Sequence, residues 1–173
     1  VSKAQAMAQR LRDINPDLQL TVYDEYIKDA RMIEILSAKP EGKQYDYVAD
    51  AIDTLSPKAF LIRHCVENGL RIVSSMGSGC KFDPAQVRVA DISRSFNCNL
   101  AAMLRKRLHR LGVYQGVTVV FSPEKADPNA IILVEGEENK KTTVGTISYM
   151  PPVFGCFMAS VVIRDLIGAV KPD

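Results

Sequence analysis

No Cys-x-x-Cys pair occurs anywhere in the 173 residues. The four cysteines, Cys65, Cys80, Cys98 and Cys156, stand far apart, which argues against a zinc knuckle or a dense disulfide framework and fits free thiols in a reducing cytosol. No apolar run reaches the roughly 18 residues that suggest a membrane span, and no charged-then-apolar leader opens the chain. A soluble, cytoplasmic protein with no membrane partner is expected. Charge of one sign is lacking too: 22 Lys and Arg stand against 20 Asp and Glu, a net +2, so attraction to nucleic acid would have to come from a local patch. Only two histidines are present, and neither His64 nor His109 has a nearby Ser or Cys to suggest a nucleophile and its base. Internal repeats and low-complexity linkers are absent.

What is present is 47% hydrophobic residues. That is enough for one buried domain, since a chain of about 150 residues buries roughly 70% of its unfolded surface. Ser2 can cap a helix with Ala4, Met7, Ala8, Leu11 and Ile14 on one face, ended by Asn15-Pro16. A domain opening on a helix with no strand to pack against predicts further residues upstream. Leu18, Leu20 and Val22 alternate as a short strand, and Asp29 opens a helix carrying Met32, Ile33 and Leu36 until Pro40 and Gly42 break it. The apolar run from Tyr45 to Ile52 reads as a parallel strand covered on both faces. Ser56-Pro57 then reads as N-cap and first residue of a helix that buries Leu61, Ile62 and Cys65 and stops at Asn68-Gly69. Leu70 to Ser74 forms another strand, and this alternation predicts a parallel α/β sheet.

From Gly77 the pattern changes. A strand around Val87 and Val89 precedes a helix that buries Leu100, Leu104, Leu108 and Leu111. Further strands are expected at Val117 to Phe121, Ile131 to Val134 and Thr142 to Tyr149, with breaks at Pro123 and Pro128 and an exposed charged loop from Glu135 to Lys141. An apolar helix from Val153 to Gly168 would set Phe154, Phe157, Met158, Val161 and Val162 against the sheet. The expected fold class is α/β: a Rossmann-like, mostly parallel sheet with flanking helices, continued by a mixed or antiparallel C-terminal portion.

Ligands of open α/β sheets collect beyond the carboxyl ends of the strands, where Asp53 follows Ile52. A carboxylate there can hold a magnesium ion bridging nucleotide phosphates. It can equally serve as a turn or capping residue. Asp50 lies inside the strand and is less free to meet a ligand. Lys3, in the first turn of its helix, sits at the positive end of the helix dipole, a mild conflict that a bound phosphate would remove and that extension into water also relieves. Met76-Gly77-Ser78-Gly79 follows a strand and could bring backbone N–H groups to a ligand, or simply turn. Arg105, Lys106, Arg107 and Arg110 form a basic helix face able to track RNA phosphates, with solvated surface as the alternative.

Read together, Ser2-Lys3-Ala4, Val48-Ala49-Asp50-Ala51-Ile52-Asp53 and Pro57-Lys58 resemble the second half of the adenylation domain of the ubiquitin-activating-enzyme-like (ThiF/MoeB/HesA) superfamily. Ser74 to Gly79, Asp83-Pro84, Val89 to Ile92, the helix from Leu100 to Arg107 and the stretch Gly145 to Gly155 are similar to its tRNA-dehydratase branch. The resemblance covers nearly the whole chain as one adenylation-type domain. Residues 1–76 correspond to the second half of the nucleotide-binding unit and 77–173 to a substrate-side and dimerisation portion. It implies an enzyme that uses ATP and Mg2+ to activate the carboxylate of threonylcarbamoyladenosine in tRNA and close it into a cyclic form with net loss of water. By the same resemblance Lys3 contacts nucleotide phosphates, Asp53 binds the metal, both act in catalysis, Thr54 neighbours them in the nucleotide site, and the protein is a homodimer.

The family's glycine-rich phosphate loop, its ribose-binding acidic residue and its phosphate-contacting arginine precede the lysine, and this chain contains none of them. The chain alone is therefore expected to be inactive. Activators of molybdopterin synthase and of the thiamin sulfur carrier carry two zinc-binding Cys-x-x-Cys pairs, whose absence favours the tRNA branch. The alternatives are an activator of a ubiquitin-like or sulfur-carrier protein partner, and a non-catalytic module of the same fold. Cys98 is the candidate counterpart of the thioester cysteine in ubiquitin activators, or else a partly buried thiol.

Overall fold

A computed structural model describes residues 1–27, 29–37, 44–125, 131–133 and 142–168, without the side chains of 131–133, 142 and 143. The breaks expected at Pro40, Gly42 and Pro128 and the loop from Glu135 to Lys141 lie outside the described residues.

Helix α1 (Lys3–Ile14) begins where the Ser2 side chain accepts the Gln5 N–H at 3.1 Å, a cap of the expected kind. Its apolar face is largely uncovered. Ala8 alone is buried, while Met7 and Ile14 are exposed. Residues 18–22 form no strand, because a strand needs a hydrogen-bonded neighbour and this segment pairs with none among the described residues. Helix α2 (Asp29–Ser37) follows, with Met32 inward and Ile33 exposed.

Strand β1 (Val48–Asp50) is shorter than its apolar run and lies at the sheet edge. Helix α3 (Leu55–Glu67) starts two residues early: Thr54 is its N-cap, with no side-chain cap bond, and Ser56 and Pro57 are its second and third residues. The shift costs little, since proline lacks an N–H that the first turn would leave unpaired anyway. Leu61, Ile62 and Cys65 are buried as expected. At its end Gly69 turns to φ +66°, and the Leu70 and Gly69 amides bond the Cys65 and Val66 carbonyls, closing the last turn. The chain thereby enters β2 (Ile72–Ser75).

Strand β3 (Arg88–Asp91), helix α4 (Asn99–Arg110) and strand β4 (Thr118–Phe121) complete the main sheet, whose order is β1-β2-β4-β3. β1 and β2 are parallel, with Val48 opposite Ile72; β2 and β4 are parallel, with Val73 opposite Thr118; β3 runs antiparallel to β4, with Val89 opposite Val120. Alternation along the strands splits the core in two. Ile72, Val119 and Phe121 meet Leu61, Ile62, Leu104 and Leu108 of α3 and α4 on one face. Val73 and Val120 meet Met150, Phe154 and Met158 of α5 (Met150–Leu166) on the other.

The strands expected near 131 and 142 form a separate antiparallel pair, β5 (Ile131–Leu133) and β6 (Thr142–Val144). This pair leans on the loop after β2: a Cβ on Gly79 would collide with Val144, and the Cys80 amide donates to the Gly145 carbonyl at 2.8 Å. The mostly parallel sheet with an antiparallel addition is thus the architecture the sequence predicts.

Candidate functional site

The carboxyl end of β1 is held by a buried ion pair. Lys58 lies in the inward stripe of α3, at the spacing of Leu61, Ile62 and Cys65, and helical side chains tilt toward the N-terminus, here under the turn after β1. Its ammonium meets the Asp50 carboxylate at 2.7 Å, both side chains being fully buried, and donates to the Ile52 carbonyl at 2.7 Å. Asp50 also accepts the Ile52 amide at 2.9 Å and the Ser74 hydroxyl at 2.6 Å. Burial strips water from the ammonium and pulls the Lys58 pKa below the ordinary lysine value, against the pull of Asp50 and Asp53. The same burial, with the Asp50 charge, pushes the Cys65 thiol up to about 12.

Directly after this turn the exposed Asp53 stands on a cavity of about 250 Å³. Gly77 and Ser78, from the loop after β2, share its rim, while Leu100 of α4 and Phe154 and Met158 of α5 form an apolar wall. Strand ends, a loop able to offer backbone N–H groups and one carboxylate therefore meet in one place. Thr54 faces a different hollow, of about 490 Å³, with Tyr26, Asp29 and Ala30. Lys3 is exposed at the start of α1 and lines neither cavity, while Asp53 and Thr54, consecutive in the chain, line different ones.

Among the described residues no group of three or more His, Cys, Asp or Glu could cage a metal ion. A single exposed carboxylate nevertheless suits magnesium, which is commonly held by one or two carboxylates plus substrate phosphates. Asp53 fits an ion carried in with a nucleotide, for which it would supply an oxygen ligand.

The basic face divides in two. Arg105 is half-buried and donates to the Ser95 carbonyl at 2.7 Å, to the Ile92 carbonyl at 3.4 Å and to the Ser95 hydroxyl, so its guanidinium ties α4 to the segment after β3. Lys106, Arg107 and Arg110 are exposed. Cys98 is buried as the N-cap of α4, away from the walls of both cavities. Asp91 accepts the Ser93, Gly116 and Val117 amides at 2.8, 2.6 and 3.1 Å. Burial alone would raise its pKa, but these bonds outweigh it and hold the carboxyl below the usual range.

The Lys58–Asp50 pair is the part of the site that motif reading missed. Its signal was the helix period: positions 58, 61, 62 and 65 share one face, so a lysine at the first of them had to be buried with its charge answered.

A three-layer α/β fold with a cavity at the carboxyl ends of parallel strands defines the class of Rossmann-like nucleotide-site proteins. Within that class, the ThiF family pattern matches residues 1–173, and the chain belongs to the ThiF family. The tRNA threonylcarbamoyladenosine dehydratase of Escherichia coli (strain K12) is 38% identical over 131 residues, covering 72% of this chain and 47% of that protein. The Bacillus subtilis (strain 168) enzyme of the same name is 28% identical over 180 aligned positions, covering 98% and 67%. The E. coli enzyme solved in complex with ATP superposes with a TM-score of 0.80 at 30% identity, covering 97% of this chain and 65% of that one. In complex with AMP it gives a TM-score of 0.81 at 31% identity. The chain thus spans less than two thirds of that solved relative and about half of the first curated one.

Proposed function

We propose that the protein carrying this chain activates a carboxylate by adenylation and uses it to dehydrate threonylcarbamoyladenosine in tRNA to its cyclic form. The observation that carries the reading is the placement of Asp53, at the carboxyl end of β1 and on one cavity with Gly77 and Ser78, in a chain whose relatives bear the dehydratase name. The substrate carboxylate oxygen bonds to the α-phosphorus of ATP as pyrophosphate leaves. Ring closure onto the activated carbonyl then expels AMP, so that the nucleoside loses one water overall.

In this reading Mg2+ supplies charge neutralisation at the phosphates. Asp53 orients that charge, the loop at Gly77 and Ser78 presents N–H groups to phosphate oxygens, and Leu100, Phe154 and Met158 keep water from the activated carbonyl. Lys3 joins as a phosphate contact, Thr54 as a neighbour in the nucleotide site, and Lys106, Arg107 and Arg110 as tRNA-backbone contacts. A homodimer in the cytoplasm completes the proposal. The test is nucleoside mass spectrometry of tRNA incubated with the gene product and ATP. Loss of one water from threonylcarbamoyladenosine is expected; adenylation of a carrier protein's C-terminal glycine with tRNA untouched would overturn the reading.

A further inference from the structure

A lysine with a fully buried side chain needs a reason, because an apolar residue of similar volume fills the same space without the cost of desolvating a charge. Lys58 serves two polar groups, the Asp50 carboxylate and the Ile52 carbonyl. Asp50 in turn takes the Ile52 amide. Both backbone groups of Ile52 are therefore held from beneath by one ion pair, and Ile52 is the residue that delivers the chain to Asp53. The neighbouring strand adds the Ser74 hydroxyl on Asp50, so the turn is referenced to β2 as well as to α3.

We infer that Lys58, with Asp50 as its counter-ion, is a positioning residue for Asp53. Its ammonium fixes the Ile52 carbonyl and so the turn that presents the Asp53 carboxylate to the cavity. This inference rests on the reading of Asp53 as the group that meets magnesium-bound phosphate. A carboxylate on a loose turn would still be charged and exposed, but it would have to be ordered at the moment of binding. Holding it in advance removes that cost. The pair is thus a support for an oxygen ligand, of the kind whose loss typically weakens metal affinity by about 10–100-fold.

The test uses the gene product that carries this chain, with MgATP and magnesium-free ATP as probes in titration calorimetry. Lys58→Met alone leaves Asp50 buried without a partner and can fail to fold, so Asp50→Asn/Lys58→Met is the informative variant: it removes both charges and loses the hold on the Ile52 carbonyl. The double variant is expected to melt close to the parent. It should also lose about tenfold or more in affinity for MgATP while keeping its affinity for magnesium-free ATP, the pattern of Asp53→Asn. Parent-like MgATP binding, or failure of the double variant to fold, overturns the inference. Indifference of the parent's binding to magnesium or to Asp53→Asn overturns instead the reading on which it rests. The inference is then decided by proton exchange at the Asp53 amide, which the double variant must accelerate and which an unchanged rate refutes.

Discussion

Replacing Lys58 by methionine keeps the volume of the side chain and removes its charge. The structure leaves Asp50 with no route to water, since the side chains on both sides of the pair are fully buried. Ser74 still donates one hydrogen bond and the Ile52 amide another, but neither cancels a full negative charge. Breaking a buried pair by removing one partner costs about 3–5 kcal/mol. Against a domain stability of about 5–15 kcal/mol this is a large fraction. For a protein of this size each kcal/mol moves Tm by about 2–4 °C, so Lys58→Met should lower it by roughly 6–20 °C. With a urea m-value near 2 kcal/mol per M, the midpoint should fall by roughly 1.5–2.5 M. The Asp50→Asn/Lys58→Met double variant should recover to within about 1 kcal/mol of the parent, because no unpaired charge remains. Urea melts of the three proteins decide the matter. A loss below about 1 kcal/mol in the single variant, or a double variant no better than the single one, would refute the account of the pair as mutually dependent charges.

Asp53→Ala should leave Tm nearly unchanged, because the side chain is exposed and makes no contact the core needs, while ATP-dependent turnover collapses; retained turnover would remove Asp53 from the site. Arg105→Ala should cost about 1–3 kcal/mol in a urea melt through its missing bonds to Ser95 and Ile92, whereas Arg107→Glu with Arg110→Glu should leave the melt in place and weaken tRNA binding. Each phosphate that this double variant no longer neutralises should lower the slope of log affinity against log salt by about 0.7–0.9, and an unchanged slope returns the face to solvated surface. Asp91 has a depressed folded pKa, so its contribution is present above the unfolded value near 3.8 and is lost as pH falls through the folded one. Asp91→Asn should accordingly be less stable than the parent by about 1 kcal/mol at pH 7, discounted for partial exposure, and the gap should close in acid; a gap independent of pH would refute the assignment.

The parts of the fold legible in the sequence were those that a local period fixes. The stripe Leu61, Ile62, Cys65 and the stripe Leu104, Leu108 announce helices whose neighbours hardly matter, and Asn68-Gly69 announces a stop whose positive φ glycine supplies cheaply. Leu18 to Val22 failed for the opposite reason. Alternation says only that a segment could lie in a sheet, and the hydrogen-bonding neighbour that would make it a strand is not encoded in those five residues. The apolar face of α1 failed likewise: period shows which residues share a side, not what covers it.

The site divides along the same line. The place of Asp53 on the cavity was legible because its position after an apolar strand is a sequence position, and the topological rule that puts clefts there needs no side-chain geometry. Arg105 was misplaced among its basic neighbours because charge along a helix is read as a face, whereas the residue at 105 sits one turn from the inward Leu108 and Ala101 and turns its guanidinium to the carbonyls after β3. Lys58 was passed over for a related reason. Motif reading treats a lysine as exposed by default, yet the period that put Leu61, Ile62 and Cys65 inside also put Lys58 there, and a lysine inside a core demands a carboxylate within reach. Asp50, dismissed as too far inside the strand to meet a ligand, was that carboxylate. Burial keeps it from the cavity and sets it against the Ile52 amide, in the turn whose next residue, Asp53, lines that cavity.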